Sequence, residues 1–405
     1  MIREKTMKYI YSDRMSKMNG SATREILKLL TRPEIISFAG GFPATQTLPQ
    51  KDIQQIAYEL LSEGNATKVL QYGKTEGFPE LIEQLIDYVK SVNIEGLTAE
   101  NVQVISGGQQ GIDLMSKVFV NPGDAVLVEN PTYLTALQIF DSYQAKIVGV
   151  DADHDGLILE DLEAKIKKYN PKLLYCVPTF SNPTGKTYTV ENRKKIAEIT
   201  AKYGVMVLED DPYGKLRLEG THVPSMKSFD KAGNIVYVTS FSKVLSPGLR
   251  VGAAVGNAEV IRKIAIAKQG VDVTTSNLSQ LICAEYLKRN LLSVNIKNSL
   301  PIYRERRDAM IAAINKYMPE EYKYVKAEGG LFIWGEFNAP INTVELAPEA
   351  IKHDVAYIQG QVFYADGSGL NTMRLNFSNS TVDRIDTGIH RLGDMFKKEI
   401  AKLKK

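Results

Sequence analysis

The chain has 405 residues, 44% apolar content and a formal charge of +3 from 50 basic and 47 acidic side chains. That length supports two domains around a substantial core, and no apolar run is long enough to span a membrane. The charges are interspersed, with no basic block beyond the C-terminal Lys-Lys, so neither nucleic acid nor a membrane is an expected partner. The N-terminus, Met-Ile-Arg-Glu-Lys, lacks the apolar core of a secretory signal, and the cytoplasm is the expected compartment. Residues 1–45 show no strand and helix rhythm and read as an arm that packs with the C-terminal domain or with a partner subunit.

Short apolar or β-branched runs then recur at Val102 to Ile105, Ala125 to Val128, Lys146 to Val150, Leu173 to Val177, Val205 to Leu208, Ile235 to Val238 and Val251 to Val255. Their composition predicts strands. Helical spacing fills most of the intervals, at Gln109 to Val120, Thr132 to Ser142, Leu159 to Tyr169 and Val190 to Tyr203. The alternation predicts an α/β fold: a mainly parallel seven-stranded sheet with helices on both faces, over residues 46–290. The last run follows its predecessor after a loop too short for a helical crossover, which predicts an antiparallel partner. From about Asn290 the pattern changes to a long helical stretch, Val294 to Met318, and two later strand-like runs, Gly329 to Trp334 and Thr372 to Phe377. Residues 291–405 therefore read as a smaller α+β domain.

Polar residues gather just after the strands, where an open parallel sheet lines its ligand crevice. Ser106-Gly-Gly-Gln-Gln-Gly111 follows the first, Asn130-Pro-Thr-Tyr133 the second and Ser181-Asn-Pro-Thr-Gly185 the fourth; Asp210 follows the fifth and Lys243 the sixth. Lys243 lies among Ser240, Ser242 and Arg250. An amine beside hydroxyls and a guanidinium is what pyridoxal phosphate requires: the amine holds the aldehyde as a Schiff base, and the other groups hold the phosphate dianion. Gly107, Gly108 and Gln109 open a helix, where backbone N–H groups and the helix dipole suit the same phosphate, although a capping turn would use the same residues. In Glu209-Asp-Asp-Pro-Tyr213 one carboxylate can face a pyridine nitrogen and keep it protonated, while turn formation accounts for another. Tyr213 and Asn182 can each donate to a phenolic oxygen on the same ring, although a turn alone would account for Asn182-Pro-Thr-Gly185, and Tyr133 can stack on its face or serve only as half-buried packing. Arg374, with alternating neighbours Met373 and Leu375, offers a forked donor for a carboxylate, against the plainer alternative of a surface ion pair.

Cys176 and Cys283 sit in apolar surroundings without metal-ligand spacing, so free buried thiols are expected. The four histidines are far apart in sequence, and no metal site is readable from them.

In combination, Asn-Pro-Thr-Gly, Asp-x-x-Tyr, Ser-x-Ser-Lys and the late Met-Arg-Leu-Asn-Phe closely resemble the fold-type I pyridoxal-phosphate aminotransferases of class I/II, nearly end to end. Ser21-Ala-Thr-Arg-Glu-Ile-Leu-Lys-Leu and Ile36-Ser-Phe-Ala-Gly-Gly-Phe-Pro43 are similar to the 2-aminoadipate/kynurenine and aromatic subgroup. The resemblance implies Lys243 as Schiff-base lysine and proton shuttle, Asp210 rather than Asp211 at the pyridine nitrogen, and Asn182 with Tyr213 at the phenolic oxygen. It implies Tyr133 on the ring, and Ser240, Ser242, Arg250 and the Gly108-Gln109 turn on the phosphate. Tyr72 would reach that phosphate from the other subunit of a homodimer. Arg374 would bind the substrate carboxylate with Asn182 and the backbone near Gly40 and Gly41, and Arg24 on the arm would recognise an acidic side chain or fold aside for an aromatic one, against the equally plain alternative of a helix-surface charge. Gly108 departs from the pattern, since relatives often carry a hydroxyl residue there. The implied activity is ping-pong transfer of an amino group from an L-amino acid to a 2-oxo acid, with 2-oxoglutarate as acceptor. A carbon–sulfur lyase or decarboxylase on the same scaffold is the alternative. A DNA-binding regulator is disfavoured, because about forty residues before Phe38 leave no room for a winged helix.

Overall fold

The computed structural model describes residues 9–17, 32–62, 64 and 66–404. In chain order, a short strand β1 (Ile36–Ser37) precedes seven strands of one sheet. These are β2 (Val102–Ile105), β3 (Ala125–Asn130), β4 (Lys146–Asp151), β5 (Leu173–Cys176), β6 (Met206–Asp211), β7 (Ile235–Ser240) and β8 (Gly252–Val255). Their spatial order is β2-β8-β7-β6-β5-β3-β4. Only β8 runs antiparallel to its neighbours, as its short connection to β7 predicts, and the other pairs are parallel.

Successive residues along each strand point to opposite faces, and the core divides accordingly. Val126, Leu173, Leu208 and Val238 pack with Ile112 and Met115 of the helix Gly108–Phe119. Leu127, Leu174 and Val207 pack with Leu162 and Ile166 of Leu159–Tyr169 and with Ile196 of Val190–Tyr203. The last of these helices starts at Thr189, whose side chain accepts from the Asn192 backbone N–H, and stops at Gly204 with φ +67°.

Three strands extend further than their apolar runs. Asn130, Asp210 with Asp211, and Ser240 all belong to β3, β6 and β7, because backbone pairing such as Asp210 with Val238 and Asn130 with Asp151 continues whatever the side chain. Asp210 is therefore a strand residue rather than a loop residue, held by its ladder with Val238 on β7, one residue past the end of the ladder with β5 at Glu209.

Beyond the helix Leu291–Tyr317 lie β9 (Tyr322–Val325), β10 (Phe332–Phe337), β11 (Val355–Ala356), β12 (Ile358–Gln359) and β13 (Thr372–Asn376). The order β12-β13-β10-β9 makes a second, antiparallel sheet, while β11 pairs in parallel with β1. The closing helix Val382–Leu403 packs against Leu291–Tyr317; a Cβ on Gly393 would lie 2.3 Å from the Tyr317 carbonyl oxygen, so glycine alone permits that approach. Among the described residues, no helix is long and apolar enough to cross a membrane.

Candidate active site

The ends of β6 and β7 and the loops after β2, β3 and β5 converge on one cavity of about 250 Å³, closed on its far side by Gly40, Gly41, Phe332, Phe363 and Arg374. Asn182, Asp210, Tyr213, Tyr133, Gly108, Gln109, Ser240, Ser242, Lys243 and Arg250 also line it. Among the described residues, two singled out from the sequence do not. Gly107 stands just behind the wall, Tyr72 is 85% exposed outside it, and Arg24 lies outside the described residues.

Lys243 reaches the cavity from the turn after β7, and its Nζ donates to the Gly41 carbonyl oxygen at 2.7 Å. Burial, reinforced by the Arg374 and Arg250 guanidinium groups, lowers its pKa to about 8. The neutral amine is thus accessible near physiological pH.

The two aspartates of β6 separate by face. Asp211 is satisfied twice, by the Tyr237 hydroxyl at 2.9 Å and the Gly214 backbone N–H at 2.7 Å, and stays out of the cavity. Asp210 accepts on Oδ2 from the Tyr175 hydroxyl at 2.9 Å, while its buried Oδ1 has no partner. A buried carboxylate oxygen left unpaired is costly, and one facing a cavity marks the place of a donor from a ligand. Burial pushes the Asp210 carboxyl up to about 7, the Tyr175 hydrogen bond opposes that rise, and the Asp211 charge adds to it.

Across the cavity, Arg374 Nη1 donates to Asn182 Oδ1 at 2.6 Å and Nη2 to the Ala39 carbonyl oxygen at 2.7 Å. Its buried Nε has no partner. The guanidinium carbon lies 4.2 Å from the Phe332 ring centre and 4.9 Å from that of Phe363, so two aromatic faces hold the cation. Burial brings its pKa down to about 10, still well above neutral pH. Arg374 is therefore no surface ion-pair residue. Asn182 Nδ2 also approaches the Tyr213 hydroxyl at 3.4 Å, and burial raises the pKa of that phenol.

The anion cradle is built from backbone and hydroxyls. Ser240 Oγ and Ser242 Oγ are 3.1 Å apart, Arg250 Nη1 donates to Ser242 Oγ at 3.1 Å, and Nη2 donates to the Ser106 carbonyl oxygen at 3.1 Å. Gly107 caps the adjoining helix with φ +88°, and a Cβ there would meet Arg250 Nη2 at 2.5 Å. At Gly108 an added Cβ would meet Asp210 Oδ1 at 3.5 Å and Ser240 Cβ at 3.7 Å, ordinary contact distances, so crowding does not forbid a side chain there and glycine leaves only backbone donors at this position. Gly107→Ala is expected to combine left-handed strain with displacement of Arg250, weakening cofactor binding by about 10- to 100-fold. Equilibrium titration of the purified variant with pyridoxal phosphate checks this.

These features fit pyridoxal phosphate: an unpaired carboxylate oxygen for the ring nitrogen, an amine, a cationic hydroxyl cradle and a caged guanidinium share one cavity. Sequence reading missed Tyr175, Phe332 and Phe363. Tyr175 carries no signal beyond an aromatic in an apolar strand, and Gly329-Gly-Leu-Phe332 reads only as a strand. Among the described residues, one group has metal-ligand spacing, the exposed Asp153, His154 and Asp155, none of which lines the cavity.

Comparison with known proteins agrees with the geometry. The family model for aminotransferase class I and II matches residues 33–392. An aromatic-amino-acid aminotransferase of Thermococcus litoralis is 38% identical, over 97% of this chain and 95% of its own. The crystal structure of a Pyrococcus horikoshii kynurenine aminotransferase, in complex with PMP, superposes with a TM-score of 0.92 at 40% identity, covering 96% of this chain and 97% of that one. An alpha-aminoadipate aminotransferase of Thermus thermophilus, complexed with N-(5'-phosphopyridoxyl)-L-leucine, gives 0.90 at 34% identity, covering 96% and 98%. The chain belongs to the class I and II aminotransferases, pyridoxal-phosphate-dependent enzymes of fold type I.

Proposed function

We propose that the enzyme transfers the amino group of an aromatic, kynurenine-like or 2-aminoadipate-like L-amino acid to a 2-oxo acid, with 2-oxoglutarate as acceptor, in a ping-pong cycle. The observation that carries this reading is the unpaired, buried Asp210 Oδ1 in the same wall as the Lys243 amine. When bound, pyridoxal phosphate supplies the carbonyl that accepts the amino group and the ring that delocalises charge from the substrate Cα. Asp210 would take the ring nitrogen on Oδ1. Asn182 Nδ2 and the Tyr213 hydroxyl would donate to the phenolic oxygen, and Tyr133 would cover the ring face. Ser240, Ser242, Arg250 and the backbone of Gly107, Gly108 and Gln109 would hold the phosphate. Arg374, with Asn182 and the backbone at Gly40 and Gly41, fixes the substrate α-carboxylate. That orientation leaves Lys243 Nζ to take the proton from Cα, and the same amine would deliver it to the former aldehyde carbon of the cofactor, a proton carrier matched to the task by its pKa of about 8.

The cavity wall beyond Arg374 is apolar, with Leu134, Ile358 and Phe363. This favours an aromatic or long aliphatic side chain; an acidic one would need Arg24. The names of the relatives point to the same range.

We further propose a homodimer in which Tyr72 completes the partner's phosphate site. The exposed apolar residues Tyr58, Leu61, Leu70 and Val273 support an interface on this side. The division at residues 46–290 and 291–405, with residues 1–45 as an arm, belongs to the same reading. So does a cytoplasmic location, which the free, buried Cys176 and Cys283 suit.

A half-reaction experiment tests the function. Absorbance of the bound cofactor is followed as single amino acids are added, and then 2-oxoglutarate. Conversion by an aromatic or aminoadipate donor, with full recovery on adding the oxo acid, is expected. Turnover that needs no oxo acid would replace this reading with a lyase or decarboxylase.

A further inference from the structure

We propose that Tyr175 is the positioning residue for Asp210: its hydroxyl occupies Oδ2, holds the carboxylate ionised, and leaves Oδ1 aimed at the cofactor's ring nitrogen. This rests on the pyridoxal phosphate reading above and assigns a role to a residue outside the cavity wall.

The placement follows from strand register. Tyr175 on β5 pairs with Leu208 on β6, so their side chains share a face. Asp210 is two residues beyond Leu208 and points to that same face. The tyrosine ring, fully buried and packed edge-on against Phe140 at 5.7 Å, spans this two-residue offset and brings its hydroxyl 2.9 Å from Asp210 Oδ2. On the opposite face the arrangement repeats. Tyr237 on β7 pairs with Glu209 and reaches Asp211 Oδ2 at 2.9 Å. The two pairs differ at the second oxygen. In Asp211 the Gly214 N–H fills it; in Asp210 nothing does. One tyrosine–aspartate pair is closed within the protein, and the other is complete only with a donor from the cavity.

The chemistry requires this donor on Oδ2. A carboxylate removed from water reverts to its neutral form unless something stabilises the charge, and a neutral acid cannot hold a pyridine nitrogen protonated. Besides burial, the groups acting on Asp210 are the Tyr175 hydroxyl from β5 and Asp211 beside it on β6, while the Tyr133, Tyr213 and Cys176 side chains around it feel its charge. Asp211 opposes ionisation, and of the two influences that accompany burial only the Tyr175 hydrogen bond favours it. Removing the hydroxyl moves the Asp210 equilibrium toward the protonated acid. The acid-side limit of cofactor retention and of turnover therefore moves to higher pH.

The test compares the holoenzyme with Tyr175→Phe and Tyr237→Phe. Cofactor released into the filtrate and kcat are measured between about pH 5 and pH 9, and each variant is checked by thermal unfolding. Loss of one hydrogen bond to a charged group corresponds to about 10- to 100-fold, so Tyr175→Phe is expected to lower kcat by that factor near neutral pH. It is also expected to shift both acid limbs upward by about one pH unit or more. Tyr237→Phe, which removes a comparable bond from Asp211, is expected to lower the unfolding temperature without moving either limb. Limbs that coincide with those of the parent in a folded Tyr175→Phe, or that move equally in both variants, would overturn the proposal. Asp210→Asn separates the two readings. If it retains the parent's cofactor affinity and rate, Asp210 does not serve the ring and the cofactor reading itself fails.

Discussion

Lys243→Ala is expected to lose amino transfer by about 10⁴-fold or more while keeping its fold, because in the proposed mechanism Lys243 is both the group that captures the cofactor and the base that moves the Cα proton. The structural cost is small. Nζ makes its hydrogen bond to a single backbone carbonyl, at Gly41. The pKa of Lys243 is lowered from 10.5 to about 8, so the folded protein binds its proton less tightly than the unfolded chain does. The sign follows. The penalty for carrying the buried ammonium is fully present below about pH 8 and disappears as pH rises toward the unfolded value, so without cofactor the alanine variant gains stability at neutral pH and the gain fades in alkali. Thermal melts at neutral and alkaline pH, together with single-turnover absorbance, check both halves. The same pKa governs reconstitution of the wild-type protein. Only the unprotonated amine attacks an aldehyde, so the rate of cofactor capture should climb with pH and level off above about 8. A variant that still transfers amino groups would remove Lys243 from the mechanism.

Arg374→Ala is expected to cut kcat/KM by about 10² to 10⁴-fold, the value of one or two hydrogen bonds to a charged carboxylate. Asn182 Oδ1 and the Ala39 carbonyl oxygen would also lose their donors inside a buried wall, so part of the loss reflects misplacement of Asn182. Arg374→Lys isolates the geometry. It keeps the charge and discards the planar fork that lies between Phe332 and Phe363, and is expected to recover only a fraction of the activity. Initial-rate kinetics with an amino acid and with its carboxyl-lacking amine analogue provide the check. The parent should discriminate strongly between the two and Arg374→Ala hardly at all. Equal discrimination in both proteins would place the carboxylate elsewhere.

The strands, their mainly parallel sense and the single antiparallel partner were legible because short apolar runs in a doubly covered sheet admit few other structures, and because a loop of ten or so residues cannot carry a crossover helix. The chemistry was legible for a similar reason. A cofactor with a phosphate, a ring nitrogen, a phenolic oxygen and an aldehyde calls for a lysine, hydroxyls, an acid and an arginine, and the order of the short motifs that carry them is what resembles the family. Helix Leu159–Tyr169 could be delimited to the residue, but the ends of β3, β6 and β7 could not. A polar side chain breaks the apolar pattern without breaking the backbone ladder, so those strands run past their last apolar residue.

What only the tertiary structure decided is which way each polar group points and what it meets. Asp210 and Asp211 are the same residue type side by side, and local composition treats them alike. Strand alternation sends them to opposite faces, where Tyr237 and the Gly214 N–H close one and Tyr175 half-closes the other. Arg374 likewise reads from its neighbours as an outward strand residue, yet the packing of the second sheet against Asn182 and Ala39 buries it. Residue types and their order are properties of the chain, whereas burial, satisfied valence and shifted pKa arise from contacts between segments up to hundreds of residues apart, and those contacts exist only once the sheets have packed.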